Sequence, residues 1–223
     1  MRKYVIIVAA GQGMRMGTPI AKQFLRLGSK PVLMHSIEAF AAYDREINII
    51  LVLPKDQQDY WQNLCRQYAF TIAHQVVDGG DTRFYSVQNG LRLLDENAIV
   101  AVHDGVRPLV SKQVIGECFA KAQSEGAAYP TLSVVDSMRQ RTKKGSKMVN
   151  RADYFLVQTP QVFIADLLKK AYQQDFSPAF TDDVSVYEAS TKRLAAQIEG
   201  NRENIKITCP SDMAMAEKLI KHA

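Results

Sequence analysis

Residues 4–10 read YVIIVAA, an unbroken apolar run that is β-branched at its centre and leads straight into glycines. A run without a polar face fits a strand buried on both sides, as in a parallel sheet. Two more runs of this kind follow, residues 47–53 (INIILVL) and 98–103 (AIVAVH). Segments with helical spacing lie between them. In residues 31–42, Leu33, Ile37 and Phe40 or Ala41 share one face, with Pro31 tolerated in the first turn; residues 57–68 are amphipathic. Alternation of strand and helix implies right-handed crossovers and a Rossmann-like α/β fold, a mostly parallel sheet with helices on both faces. Ligands bind such sheets beyond the carboxyl ends of the strands. The loops that leave the apolar runs are therefore where chemistry is expected.

A short strand is expected over residues 72–77, ended by Gly79-Gly80, with Asp81 capping a helix to about residue 94. Ser111 caps a helix to about residue 124. Residues 127–135 read as a strand in which Pro130 marks an edge or a bend. Residues 136–158 break the pattern. They are polar, they hold Arg139, Arg141, Lys143, Lys144 and Lys147, and Gly145-Ser146 suggests a hairpin tip. A structureless loop of this length is uncommon in a compact domain, so the segment is read as a protruding arm. Beyond it, residues 162–172 and 182–190 look helical, and 194–198 and 205–208 look like strands. Ser211 or Asp212 is expected to cap a last helix that carries Met213, Met215, Leu219 and Ile220, with both methionines in the core. No internal repeat occurs, and residues 1–223 are read as one domain with an arm at 136–158.

Apolar residues make up 47% of the chain, enough to fill a core under both faces of a sheet. The net charge is +5, and apart from residues 139–147 the basic residues are scattered. That distribution suits a pocket for a phosphorylated small molecule rather than a nucleic-acid surface. Cys65, Cys118 and Cys209 are odd in number and form no C-x-x-C, which reads as free thiols in a reducing, cytoplasmic setting. Met1-Arg2-Lys3 runs directly into the first strand and then into glycines, unlike a signal peptide. No run approaches the roughly 18 apolar residues of a membrane span.

The loop after the first strand reads Ala9-Ala10-Gly11-Gln12-Gly13-Met14-Arg15-Met16, followed by Lys22-Gln23. Small residues let the backbone approach phosphates and aim N–H groups at them, and Arg15 and Lys22 add charge. A dinucleotide fingerprint needs G-x-G-x-x-G and an acid about twenty residues on. Here the third glycine, Gly17, comes one residue late, and the second strand closes on Leu53-Pro54-Lys55. A P-loop needs Gly-Lys-Ser/Thr, whereas Lys22 stands between Ala21 and Gln23. The letters alone leave a polyphosphate-binding turn or an ordinary glycine turn with surface cations.

Seven segments in order narrow the choice. The first loop, A-A-G-x-G-x-R-M with K-Q after it, resembles the signature of sugar-phosphate cytidylyltransferases. Gly79-Gly80-Asp81-Thr82-Arg83-Phe84-Tyr85-Ser86-Val87 with Gly90-Leu91, Val102-His103-Asp104-Gly105-Val106-Arg107-Pro108, and Asp136-Ser137 continue the likeness. Thr159-Pro160-Gln161 with Phe163, Thr181-Asp182-Asp183, and Gly200 with Asn204-Ile205-Lys206-Ile207-Thr208 complete it. Together they resemble the 2-C-methyl-D-erythritol 4-phosphate cytidylyltransferase family over nearly the whole chain. Three departures stand out: Ala21 replaces a usual proline, and Met14 and Ser137 stand where Arg and Thr are common. Ser137 keeps the hydroxyl, but Met14 removes a cation and leaves more of the phosphate binding to Arg15.

The resemblance implies transfer of CMP from CTP to a small polyol phosphate, with Mg2+ as cofactor and a homodimer joined through the arm. It implies Arg15 and Lys22 at the α-phosphate and leaving group, with Ala9, Ala10, Gly11 and Gly13 offering backbone to CTP. Gly80, Asp81 and Ser86 would meet base and ribose, and Asp104 the ribose and the metal-bound phosphates. Arg151 and Lys206 would grip the acceptor phosphate, with Arg107, Ser137, Thr159 and Asp182 on the acceptor side. The bland readings are solvated loop cations for Arg15 and Lys22, a helix-face serine for Ser86, an Asp104–Arg107 pair that merely holds a loop, a surface charge for Arg151, and a structural His103. Rival functions are a ribitol 5-phosphate cytidylyltransferase, a nicotinamide-cofactor protein and a nucleotide sensor without catalysis.

Overall fold

The computed structural model describes residues 1–11 and 20–220; Gly13 and Arg15 fall outside them. In chain order the elements are β1 (Arg2–Val8), β2 (Arg26–Leu27), β3 (Lys30–Pro31), α1 (Val32–Tyr43), β4 (Asn48–Leu53), α2 (Gln58–Gln67), β5 (Gln75–Asp78), α3 (Arg83–Leu91), β6 (Ala98–Asp104) and α4 (Lys112–Glu125). They continue with β7 (Ala127–Ser133), β8 (Arg139–Thr142), β9 (Gly145–Met148), β10 (Phe155–Val157), β11 (Gln161–Ile164), α5 (Ala165–Ala171), α6 (Asp183–Thr191), β12 (Ala196–Glu199) and α7 (Pro210–Leu219).

The main sheet runs β10-β7-β11-β6-β1-β4-β5, with β12 pairing β7. Strand β1 lies between β4 and β6, parallel to both, so its backbone is satisfied on each side. Side chains alternate between two cores. Val5, Ile7, Ile49, Leu51 and Ala101 pack against α1, α2 and α4 through residues such as Leu33, Phe40, Trp61 and Ile115. Tyr4, Ile6, Ile50, Val52, Val100 and Val102 face α3, α5 and α6 through Phe84, Val87, Leu168 and Tyr187. Burial on both faces is why the strand sequences lack a polar alternation. Glycine serves the packing where α3 crosses β1: a Cβ on Gly90 would come within 2.9 Å of Ile6 Cγ2.

Several expectations are corrected. Thr82, not Asp81, caps α3: its side chain accepts from Tyr85 N. Residues 162–164 belong to strand β11, antiparallel to both β6 and β7, before helix α5 begins. An apolar run that fills a central strand has no periodicity to distinguish it from a buried helix. Pro130 is not at an edge, because it faces Ile198 of β12. Its carbonyl accepts from Gln158 N, so its missing N–H falls where β7 changes partner from β11 to β10. The arm's hairpin pairs Thr142 with Gly145, which puts Lys143-Lys144 at its tip. Residues 205–208 form no strand, although Ile207 N donates to Val106 O. Cys209 precedes α7, whose Asp212 carboxylate accepts from Thr208 N and Cys209 N. Met215 is 55% exposed, whereas Met213 packs against a third small cluster containing Leu27, Val106 and Ile207.

Candidate active site

The carboxyl ends of β1, β4 and β6 open into one cleft of about 790 Å3. Ala9, Ala10 and Gly11 form one lip as the chain leaves β1, and Gly79, Gly80, Asp81 and Ser86 form another at the start of α3. The lips are tight. A Cβ on Gly79 would approach Ala10 Cβ to 2.8 Å, and one on Gly80 would overlap Tyr85 Cβ. Ser86 Oγ accepts from Gly80 N at 3.1 Å and donates to Thr82 O at 2.9 Å, fixing the turn. Buried Gln23 donates through Nε2 to Ala9 O and Gln57 Oε1, both at 2.9 Å, and so fastens the short helical turn Lys22–Phe24 to the end of β1. Lys22 lines the same cleft.

At the tip of β6, Asp104 meets three cations. Lys206 Nζ lies 2.9 Å from Oδ2, Arg107 Nε 3.4 Å from Oδ2, and Arg83 Nε 3.5 Å from Oδ1. Burial pushes the Asp104 carboxyl up, but Arg83, Lys206 and Arg107 outweigh it and hold it well below the usual carboxylate range. Arg83 also donates to both oxygens of fully buried Asp183, at 2.9 and 2.6 Å, and Tyr172 Oη donates to the same carboxylate at 2.6 Å. Burial opposes the Arg83 charge, yet Asp183 and Asp104 hold the guanidinium firmly protonated. Among the described residues the cleft lining carries four cations, Lys22, Lys55, Arg83 and Lys206, against three carboxylates, Asp56, Asp81 and Asp104, a positive balance that suits a polyphosphate.

His103 is buried and engaged at both nitrogens. Thr159 Oγ1 accepts from Asp104 N at 3.1 Å and therefore donates to His103 Nδ1 at 3.1 Å; His103 Nε2 donates to Arg107 O at 3.0 Å. Burial pushes its pKa down to about 4, so the ring is neutral and structural.

The sequence-predicted residues divide accordingly. Ala9, Ala10, Gly11, Lys22, Gly80, Asp81, Ser86, Asp104 and Lys206 line the cleft. Arg107 stands behind Asp104 and donates to Asn204 O at 2.8 Å. Thr159 is buried beneath, and Asp182 caps α6 by accepting from Ser185 N at 2.9 Å. Ser137 is exposed at the base of the arm, and Arg151, in the exposed turn Arg151–Asp153, donates to Val135 O. Neither is among the residues that line the cleft within one chain. Arg83, Gln23 and Asp183 stood inside recognised motifs without an assigned task. Arg83 and Asp183 pair across 100 residues, which no local pattern reveals.

Among the described residues no group of three or more His, Cys, Asp or Glu side chains could hold a metal by itself. The donor set nevertheless fits a cation carried mainly by nucleotide phosphates, for which a single carboxylate suffices. Asp104 Oδ1, whose cationic neighbour Arg83 is 3.5 Å away, is the less engaged of that residue's two oxygens.

Residues 3–222 match the family described as 2-C-methyl-D-erythritol 4-phosphate cytidylyltransferase. The protein of that name from Phocaeicola vulgatus is 54% identical over 220 residues, 99% of this chain and 100% of its own. Its namesake from Alkaliphilus metalliredigens is 36% identical, over 97% of this chain and 92% of its own. The crystal structure of 2-C-methyl-D-erythritol 4-phosphate cytidylyltransferase from Thermus thermophilus superposes with a TM-score of 0.80 at 29% identity, covering 99% of this chain and 100% of that one. The structure of 4-diphosphocytidyl-2C-methyl-D-erythritol synthase from Anaerococcus prevotii gives 0.83 at 26% identity, covering 99% and 96%.

Proposed function

This chain belongs to the 2-C-methyl-D-erythritol 4-phosphate cytidylyltransferase family, and on that premise we propose how its cleft works. The enzyme is a nucleotidyltransferase of the non-mevalonate isoprenoid pathway: it joins CMP from CTP to 2-C-methyl-D-erythritol 4-phosphate and releases pyrophosphate. The relatives do not favour ribitol 5-phosphate as the acceptor.

The acceptor phosphate attacks the α-phosphorus of CTP. That nucleophile is already an anion, so no strong base is needed, and catalysis is positioning and charge stabilisation. Neutral, doubly hydrogen-bonded His103 agrees with this. Lys22, with Arg15, neutralises charge on the α-phosphate and the departing pyrophosphate. The backbone of Ala9, Ala10, Gly11 and Gly13 cradles the nucleotide. Gly80, Asp81 and Ser86 receive base and ribose, a role supported by their place on one lip of the cleft. Asp104 would hold Mg2+ together with the CTP phosphates; when bound, the ion supplies charge neutralisation on the phosphate oxygens.

Lys206 takes the acceptor phosphate, Arg107 and Thr159 stand behind it and hold Asp104 in place, and Asp182 and Ser137 shape the acceptor side. Arg151 reaches the cleft of a second copy through the arm, where a guanidinium binds phosphate in bidentate fashion. Support for a homodimer comes from exposed Met148, Tyr154, Phe155, Leu156 and Val157 along the arm. The protein works in the cytoplasm, as its free thiols suggest; burial pushes the Cys118 thiol up and makes it inert.

The observation that carries this reading is that Lys22, Asp104 and Lys206 share one cleft at the strand ends. Lys22→Ala should lower the rate of pyrophosphate release by roughly 10²–10³, the loss typical of one transition-state donor. Its urea unfolding should match wild type, because a cleft cation is not core. Undiminished turnover would remove Lys22 from this role.

A further inference from the structure

We propose that Gln158, where the arm rejoins the sheet, is a positioning residue for Lys206, its buried carboxamide fixing the turn from which that lysine extends. The inference rests on the role of Lys206 given above. Gln158 is only 4% exposed. Its backbone N donates to Pro130 O at 2.9 Å, which ties it to β7. Its Nε2 donates to Asn201 O at 3.0 Å and to Asn204 O at 3.3 Å, and its Oε1 lies 3.5 Å from Asn204 Nδ2.

The motif Gly200-x-x-x-Asn204-x-Lys206 acquires a physical reason from these contacts. A Cβ on Gly200 would overlap Gln158 Oε1, so glycine is what admits the carboxamide. Gly200 N donates to Thr131 O at 2.8 Å, so the turn starts from a fixed point on β7. Fully buried Asn204 donates through Nδ2 to Thr159 O at 2.8 Å, and its carbonyl also accepts from Arg107 Nη1 at 2.8 Å. Asn204 Oδ1 takes no hydrogen bond from the described residues, so that atom contributes nothing to the grip. Two residues on, the Lys206 ammonium meets Asp104 at 2.9 Å. Its side chain is 45% exposed, so the backbone beneath it, together with the Asp104 contact, sets where the ammonium sits. A buried carboxamide with donor and acceptor both satisfied is a rigid strut.

The test is a double-mutant cycle on the full chain with CTP and 2-C-methyl-D-erythritol 4-phosphate, reading kcat by pyrophosphate release and CTP affinity by calorimetry. Gln158→Leu should lower kcat about tenfold and leave CTP affinity within about twofold. In a Lys206→Ala background the same substitution should change kcat by less than about twofold, because the group it positions is gone. Gln158→Glu, which keeps the volume but loses the donor, provides the same comparison should the leucine variant fail to fold. Equal losses in both backgrounds, or unchanged kcat in the Gln158 variants, would overturn the proposal while leaving the role of Lys206 intact. Wild-type turnover in Lys206→Ala would overturn that role and this proposal with it.

Discussion

Asp104 is the residue around which the cleft's charge is arranged, and His103 beside it shows what the arrangement costs. The ring is buried, accepts a hydrogen bond from Thr159 Oγ1 and donates one to Arg107 O, and its pKa falls to about 4. In the unfolded chain an ordinary histidine titrates near 6.5. Between those values the unfolded state binds more protons, so the stabilisation from neutral His103 is complete above 6.5 and is lost as pH falls toward 4. The slope approaches about 1.4 kcal/mol per pH unit. Urea unfolding should therefore show wild type losing on the order of 2 kcal/mol between pH 7 and pH 5, and His103→Gln losing clearly less. Equal losses would mean that His103 is not the group responsible. Asp104 and Lys206 were legible in the sequence as a strand-end acid and a motif lysine. Their 2.9 Å contact was not, because it joins positions about a hundred residues apart.

Among the elements, the arm is where the proposed dimer would form. Hairpin β8–β9 has every residue exposed, and an isolated two-stranded hairpin is marginal in water. Met148 at 79% and Leu156 at 58% exposure add an apolar surface that a lone chain would leave wet. On the proposed dimer, in which Arg151 reaches a second cleft, Leu156→Lys should give a monomer in sedimentation equilibrium and weaken acceptor use. A dimer of unchanged stability would reject this surface as the interface. The run of charges over residues 139–147 points to the exposed hairpin, but an end at residue 158 does not follow from polarity: Phe155–Val157 already pair with β7 in the main sheet, and Gln158 is buried. The hairpin's tip was misplaced by two residues, since Gly145, at φ 133°, follows the Lys143-Lys144 turn instead of making it. In the letters strand β11 reads like the start of a helix, because Val162 and Phe163 are buried and carry no periodic cue.

The whole molecule is a sheet whose two apolar faces are each covered by helices and whose strand ends carry the chemistry. That much follows from the letters, because the runs at β1, β4 and β6 admit no solvent face and alternate with helices. What the letters leave open is the closure of the sheet on its far side, where β11 and β10 run antiparallel and β12 returns to pair β7. That closure brings Gln158, Thr159 and Asn204 beneath Lys206. The resulting cleft is built for moving one nucleotidyl group onto one phosphate. Pyrophosphate release, measured with CTP and either 2-C-methyl-D-erythritol 4-phosphate or ribitol 5-phosphate in parallel, tests that conclusion most directly. Rapid release with the methylerythritol acceptor and little with ribitol 5-phosphate is the predicted result; a preference for ribitol 5-phosphate, or release with neither, would contradict it.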